Sequence, residues 1–142
     1  MKDQNYSNHR FYVPGYHFFT LTGILILFIG SIVNLFNSSK DNFYSASLIV
    51  LSSFLLFFIA FYTRSFALKA QDRAIKVEEN FRHYLLTGKP LDAKLTVRQI
   101  IGLRFASDDE FPALATKAMN ENLSENAIKK SIKKWRGDYY RA

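Results

Sequence analysis

Apolar and polar residues fall into blocks along this chain. No Asp, Glu, Lys or Arg occurs between Phe11 and Ser39, and residues 18–36 are almost continuous Leu, Ile, Phe and Val. A second uncharged run covers 42–63 and contains Phe54-Leu55-Leu56-Phe57-Phe58-Ile59. At about 1.5 Å of rise per residue, a helix over 16–36 is roughly 31 Å long, the thickness of a bilayer's hydrocarbon layer. Each central Leu, Ile, Phe or Val favours insertion by roughly 0.3–0.6 kcal/mol, and about a dozen per run outweigh the Ser, Thr and Asn among them. The pattern predicts transmembrane helices at 16–36 and 43–63, antiparallel neighbours joined by the polar loop 37–42.

Two other readings compete. Lys2 and Arg10 resemble the basic start of a signal peptide, but the apolar part is too long and no Ala-x-Ala-like cleavage site follows it. Two buried core helices are the other reading, and a chain of 142 residues has little other material with which to cover them.

Small residues recur inside the runs. Gly23 and Gly30 share a face of the first span with Asn34, and Ala46, Ser53 and Ala60 repeat every seventh residue in the second. Lipid gives apolar side chains no reason to prefer one another, so these stripes are candidate helix-packing positions, with Asn34 or Thr20 hydrogen-bonding across. The seven-residue interval continues past the second span. Ala60, Thr63, Ala67, Ala70, Ala74, Val77, Phe81 and Tyr84 follow a 3-4 alternation, with neither Gly nor Pro before Thr87-Gly88-Lys89-Pro90. One helix over about 43–86, roughly 65 Å long, is expected, its last third a stalk. Ala67, Ala70, Ala74, Val77 and Phe81 form a seam that wants a partner helix: the same chain's tail, a second copy or another membrane protein.

Beyond Pro90 the sequence turns to short helical words. Thr96-Val97-Arg98-Gln99 and Ser107-Asp108-Asp109-Glu110 have the form of capping boxes, and Ser124 is a third cap. Helices are expected at about 97–106, 109–120 and 125–140. Ile100, Leu103, Leu114, Ala118, Leu123, Ile128, Ile132 and Trp135 would be their shared core. About fifty residues make a marginal domain, so docking on the stalk or on a partner is expected.

Charge orients the chain. Lys and Arg number 19 against 12 Asp and Glu, a net +7, and 16 basic against 10 acidic residues lie between Arg64 and the end. By the excess of Lys and Arg on the cytoplasmic side, residues 1–15 and everything from 64 onward face the cytoplasm, and 37–42 is external. The location implied is a membrane that borders the cytoplasm. Within the tail, Ile128-Lys129-Lys130-Ser131-Ile132-Lys133-Lys134-Trp135-Arg136 reads as a basic amphipathic helix. Lys129, Lys130, Lys133, Lys134 and Arg136 are its candidates for binding an anionic surface, headgroups of the leaflet first. Leu114 to Trp135 also has the outline of a helix-turn-helix, with Asn122 where Gly is usual, which makes a membrane-tethered nucleic-acid binder the alternative.

Little else suggests chemistry. There is no cysteine, His9, His17 and His83 have no ligand spacing, and Asp108, Asp109 and Glu110 are explained by a helix N-terminus. No phosphate loop, Gly-rich fingerprint or nucleophile elbow occurs. No catalytic, cofactor-binding or metal-binding residues are expected, and no enzyme.

Several polar motifs together carry a resemblance: Gln4-Asn5-Tyr6-Ser7-Asn8-His9, Gln71-Asp72-Arg73-Ala74-Ile75 with Glu78-Glu79 and Arg82, Arg98-Gln99, Leu103-Arg104-Phe105-Ala106, Ile128-Lys129 and Trp135-Arg136-Gly137-Asp138. In these the chain resembles an uncharacterised family, a domain of unknown function, of small bacterial two-span membrane proteins found mainly in Bacteroidota. The resemblance runs nearly end to end. It implies the topology above, in the bacterial cytoplasmic (inner) membrane, and no activity, and it suggests a buried polar network, Arg98 and Arg104 pairing with Asp108, Asp109 or Glu110. The fold class expected is an all-α membrane protein: a transmembrane hairpin, a stalk at 64–87 and a small three-helix basic tail at 88–142. The role expected is accessory or scaffold subunit, with lipid bilayer, other membrane proteins or itself as partners.

Overall fold

The computed structural model describes residues 4–9 and 12–139. Lys2, Arg10 and Phe11, named above, and residue 140, the expected end of the last helix, lie outside them. Among the described residues the chain is all-helical, without strands. A π-helical turn, Gly15–Thr20, leads into α1 (Leu21–Phe36), followed by α2 (Phe43–Thr87), α3 (Val97–Leu103), α4 (Phe111–Asn120) and α5 (Glu125–Ser131). Helix α2 runs 45 residues unbroken and ends where Gly88, at φ 72°, takes the left-handed conformation that an L side chain resists. The Gly88 amide donates to the Tyr84 carbonyl, closing the last turn.

The chain divides into two compact units, the first being Tyr12–Ala67. Gly15–Phe36 and Phe43–Thr87 are both long and apolar enough to cross a membrane. In the intervening loop the Asn37 and Ser38 side chains donate to the Val33 and Asn34 carbonyls, satisfying acceptors that a helix end leaves open. Ala46, Ser53 and Ala60 are buried. Opposite them stands Ser31, also buried, its Oγ 3.0 Å from Ser53 Oγ. Tyr16 donates its hydroxyl proton to the Ala60 carbonyl at 2.7 Å, and Phe28 packs against Phe54 and Phe57. Gly23 and Gly30 are instead exposed, and a Cβ on either would touch nothing within 4 Å. The close approach on α1 thus falls at Ser31. Asn34 is exposed, and the Thr20 hydroxyl donates within its own helix, to the Gly15 carbonyl.

The other unit comprises residues 4–9 and 68–139. Its core is Ile75, Leu95, Ile100, Ile101, Leu103, Phe105, Ala106, Phe111, Leu114, Ala115, Ala118, Ile128 and Ile132, with Leu123 and Trp135 packed against it. Helix α3 opens on a complete capping box: the Gln99 amide donates to Thr96 Oγ1, and the Thr96 amide to Gln99 Oε1. The buried Gln99 side chain then donates through Nε2 to the Ala118 and Leu123 carbonyls, joining α3 to the end of α4. Asn122, at φ 46°, supplies the left-handed residue between α4 and α5. Helix α5 packs closely on α3, where a Cβ on Gly102 would lie 3.1 Å from the Glu125 carbonyl oxygen and 3.3 Å from Ile128 Cβ.

Three elements end earlier or start later than the pattern predicts, α3 among them, since it stops at Leu103 and not at 106. Helix α4 begins at Phe111, with Pro112 in its first turn, because residues 108–110 form a turn and Ser107 Oγ caps nothing. Helix α5 ends at Ser131, nine residues before the expected limit at 140. There the Lys133 and Lys134 amides donate to the Glu110 carboxylate. The backbone then pairs with 105–107: Arg136 N–H donates to the Phe105 carbonyl at 2.7 Å, and Ser107 N–H to the Lys134 carbonyl at 3.0 Å. These tertiary bonds take the donors that a continued helix would have used.

Candidate functional site

The polar residues of the second unit converge on the C-terminal part of α2. Ile75, Glu79 and Arg82 lie three and four residues apart, on the face that meets the core. Arg82 Nη1 donates to Glu79 Oε2 at 2.9 Å, Nη2 to the Ala106 carbonyl at 2.7 Å, and Nε to Asp108 Oδ1 at 2.7 Å. Its guanidinium also stacks 4.5 Å from the Phe111 ring centroid. Arg136 Nη1 reaches the other oxygen of Glu79 at 3.4 Å. Glu79 is buried between two guanidinium groups. Burial, the largest influence, pushes its carboxyl above the usual 4.5, with Glu78 acting in the same direction and Arg82 and Arg136 pulling against it.

A groove of about 420 Å³ opens beside this network, lined by Glu78, Glu79, Phe81, Arg82, Leu85, Asp108 and Arg136. Glu79, Arg82, Asp108 and Arg136 are already paired among themselves, which is the arrangement of a structural clasp between α2 and the tail. Among the described residues no cluster of three His, Asp or Glu side chains is placed to hold a metal ion.

The N-terminal segment belongs to the same assembly. Gln4 Nε2 donates to the Asp138 carbonyl at 3.1 Å, and the Asp138 amide donates to Gln4 Oε1 at 2.8 Å. The His9 ring packs against Tyr6, Phe105 and Trp135. Its Nδ1 donates to the Tyr6 carbonyl, and Nε2 lies 3.4 Å from Lys129 Nζ. Arg104 pairs with Asp138 at 3.3 Å and lies over the Phe105 ring. The polar motifs at the two ends and in the middle of the chain thus meet around Phe105.

Residues 1–142 match a family profile. The chain belongs to DUF6526, a family of unknown function. No curated protein and no solved structure matches it.

The five candidate anion-binding residues are placed unlike a helix face. Lys129 is buried, its Nζ 2.6 Å from Glu125 Oε1 and 5.5 Å above the Phe105 ring, so it is a core cation and not a surface one. Lys130 is exposed, over the Tyr6 ring, and Lys134 pairs with Asp109 at 3.2 Å. Arg136 is held by Glu79. Lys133 is exposed, beyond the end of α5. The basic amphipathic helix therefore does not form. The same observations weaken the helix-turn-helix outline, because the would-be recognition helix is seven residues long and packed on α3. The polar pairs differ too: Arg98 lies 3.7 Å from Glu125 and Arg104 meets Asp138, while Asp108 meets Arg82 and Asp109 meets Lys134. Glu110 receives backbone amides.

Of the stalk candidates, Ala67, Ala70, Ala74, Val77 and Phe81 are all exposed. The tail covers the opposite side of α2. Glu79, Arg82 and His9 stand in the polar motifs of the sequence, but their partners, Arg136, Asp108 and Phe105 with Trp135, lie far along the chain and are set only by the packed tail.

Proposed function

We propose that this chain is a small integral protein of the bacterial inner membrane, a two-span hairpin with both ends cytoplasmic. It works by non-covalent contact, as an accessory or scaffold subunit for other membrane proteins or for itself. The observation that carries the reading is the exposure of its apolar helices. Only 6% of the apolar window in Gly15–Phe36 and 17% of that in Phe43–Thr87 is buried within the chain. A core helix of a water-soluble protein hides such residues, whereas Phe18, Phe19, Ile26, Phe58 and Ile59 are uncovered and suit hydrocarbon.

Two further observations support the orientation. Residues 4–9 pack against Phe105, Trp135 and Asp138 in one unit, which supports a common side for the segments before and after the hairpin. The excess of 16 basic over 10 acidic residues from Arg64 onward favours the cytoplasmic side, where Lys130 and Lys133 are free to approach anionic headgroups.

The test is extraction of membranes with alkaline carbonate, followed by mild-detergent purification of the full chain. Retention in the pellet, with a C-terminal tag reachable only after the cells are opened and membrane proteins or further copies co-purifying, is expected. Release by carbonate, or a tag reachable from outside intact cells, refutes the reading.

A further inference from the structure

Helix α2 has two unlike faces over 70–85. On one, Ile75, Glu79 and Arg82 are covered by the tail. On the other, Ala70, Ala74, Val77, Phe81 and Tyr84 follow the 3-4 alternation of a coiled-coil seam, and all are exposed. Val77 is 70% exposed, Phe81 60% and Tyr84 53%, much apolar area for a helix whose other side is well packed. Taking Ala74 and Phe81 as a positions and Ala70, Val77 and Tyr84 as d positions puts Ile75 and Arg82 at b and Glu79 at f. These are the positions farthest from the seam.

The flanking positions choose the occupant. Arg73 falls at g and Glu78 at the next e, five residues on, and both are exposed. In a parallel, in-register pair of identical helices, the g residue of one strand faces the following e residue of the other. A second copy therefore sets Arg73 against its partner's Glu78, and the two-fold axis repeats the contact in reverse. The other g–e pairs in this stretch, Phe66 with Gln71 and Asn80 with Leu85, place no like charges opposite one another.

We infer that two copies of this chain associate through α2 as a short parallel coiled coil over 70–85, with Arg73 of each copy paired to Glu78 of the other. The inference rests on the membrane-hairpin reading, because chains inserted with one topology present this segment in one direction. They also surrender less orientational freedom on pairing than chains free in solution. Small residues at Ala70 and Ala74 bring the helices close, while Val77, Phe81 and Tyr84 supply the apolar contact.

The chain has no cysteine, so an introduced one reports alone. In native membranes at low protein density, the full chain carrying Ala74→Cys or Val77→Cys is expected to form a disulfide species at twice the 16.5 kDa monomer mass. The c-position control Lys76→Cys is expected to react about tenfold more slowly, since a disulfide needs its Cα atoms within about 7 Å. On the Ala74→Cys background, Arg73→Glu or Glu78→Arg alone should cut the dimer yield severalfold, and the charge-swapped pair should restore it. Recovery by the swap separates lost pairing from lost folding, and Trp135 fluorescence, unchanged in each variant, checks the tail. Monomer only, equal reaction at positions 74 and 76, crosslinks to proteins of other mass, or a swap that fails to rescue overturns the dimer. Carbonate release of the unaltered chain instead overturns the membrane reading on which the parallel orientation depends, and a retained chain that stays monomeric leaves that reading standing.

Discussion

Replacing Arg82 with methionine keeps most of the side chain's length and apolar stem while deleting the charge that holds the clasp. Two carboxylates lose their partner, and they are not equivalent. The Asp108 side chain is 65% exposed and regains water, so its share is small. The Glu79 side chain is 6% exposed and keeps only Arg136 at 3.4 Å. Stranding one member of a buried pair costs about 3–5 kcal/mol when the survivor stays charged. Glu79 has an escape, because burial already raises its pKa above the ordinary value. A carboxyl raised in the folded chain contributes its stabilisation fully below the unfolded pKa of 4.5 and loses it as the pH climbs through the folded pKa. Without Arg82, the pull that opposed burial is gone, the folded pKa rises further, and the loss reaches higher pH. The deficit of Arg82→Met should therefore be largest near ~pH 8 and shrink toward ~pH 5 as Glu79 takes up a proton. The sole tryptophan, Trp135, sits in this unit and reports its unfolding in urea. With a slope of about 1.5 kcal/mol per M, a loss of about 3 kcal/mol lowers the midpoint by about 2 M. Adding Glu79→Gln to Arg82→Met should recover most of that loss. A deficit equal at both pH values, or a double variant as unstable as the two single losses together, refutes the account.

Other consequences can be tested separately. Ser53→Ala removes one cross-helix hydrogen bond, worth about 0.6 kcal/mol in a membrane, whereas Ser53→Leu overfills a closed contact at about 1–3 kcal/mol. Fluorophores on the two spans, followed through an SDS titration, should rank leucine clearly below alanine, and equal effects would deny the close approach at Ser31. Gly102→Leu should lower the Trp135 urea midpoint by about 1–3 kcal/mol equivalent, despite a helix-propensity gain of about 1 kcal/mol, because its side chain meets Glu125 and Ile128. No change would mean that α3 and α5 stand farther apart. Gln4→Ala loses both bonds to the Asp138 backbone. Exchange of the Asp138 amide should then accelerate about tenfold, the equivalent of about 1.4 kcal/mol, and unchanged protection would show that the N-terminal segment is not its partner.

Much of the fold could be read from the chain because it rests on local physics. The helix end at Gly88 needed a residue free to adopt positive φ, and Thr96 with Gln99 needed only the three-residue spacing of a capping box. The buried face of the tail followed helical periodicity through Ile100, Leu103, Leu114, Ala118 and Ile128. What stayed hidden depended on partners distant in sequence. Lys129 to Arg136 has the composition of a basic helix, yet Glu110 captures two of its amides and Phe105 a third. Lys129 reads as a surface charge until Glu125, His9 and Phe105 enclose it. Gly23 and Gly30 were the conspicuous small residues of the first span, but the contact went to Ser31, whose hydroxyl has Ser53 to meet. For Glu79 and Arg82, nothing local marks the Ile75 face as the one that the tail covers.

The bond between Gln4 and Asp138 joins residues 134 positions apart. Tyr6 and His9 leave the ribosome before Phe105 and Trp135 exist to receive them, so this contact closes only after the chain between them has been made, and loss of either Gln4 or Asp138 leaves the other without its seat.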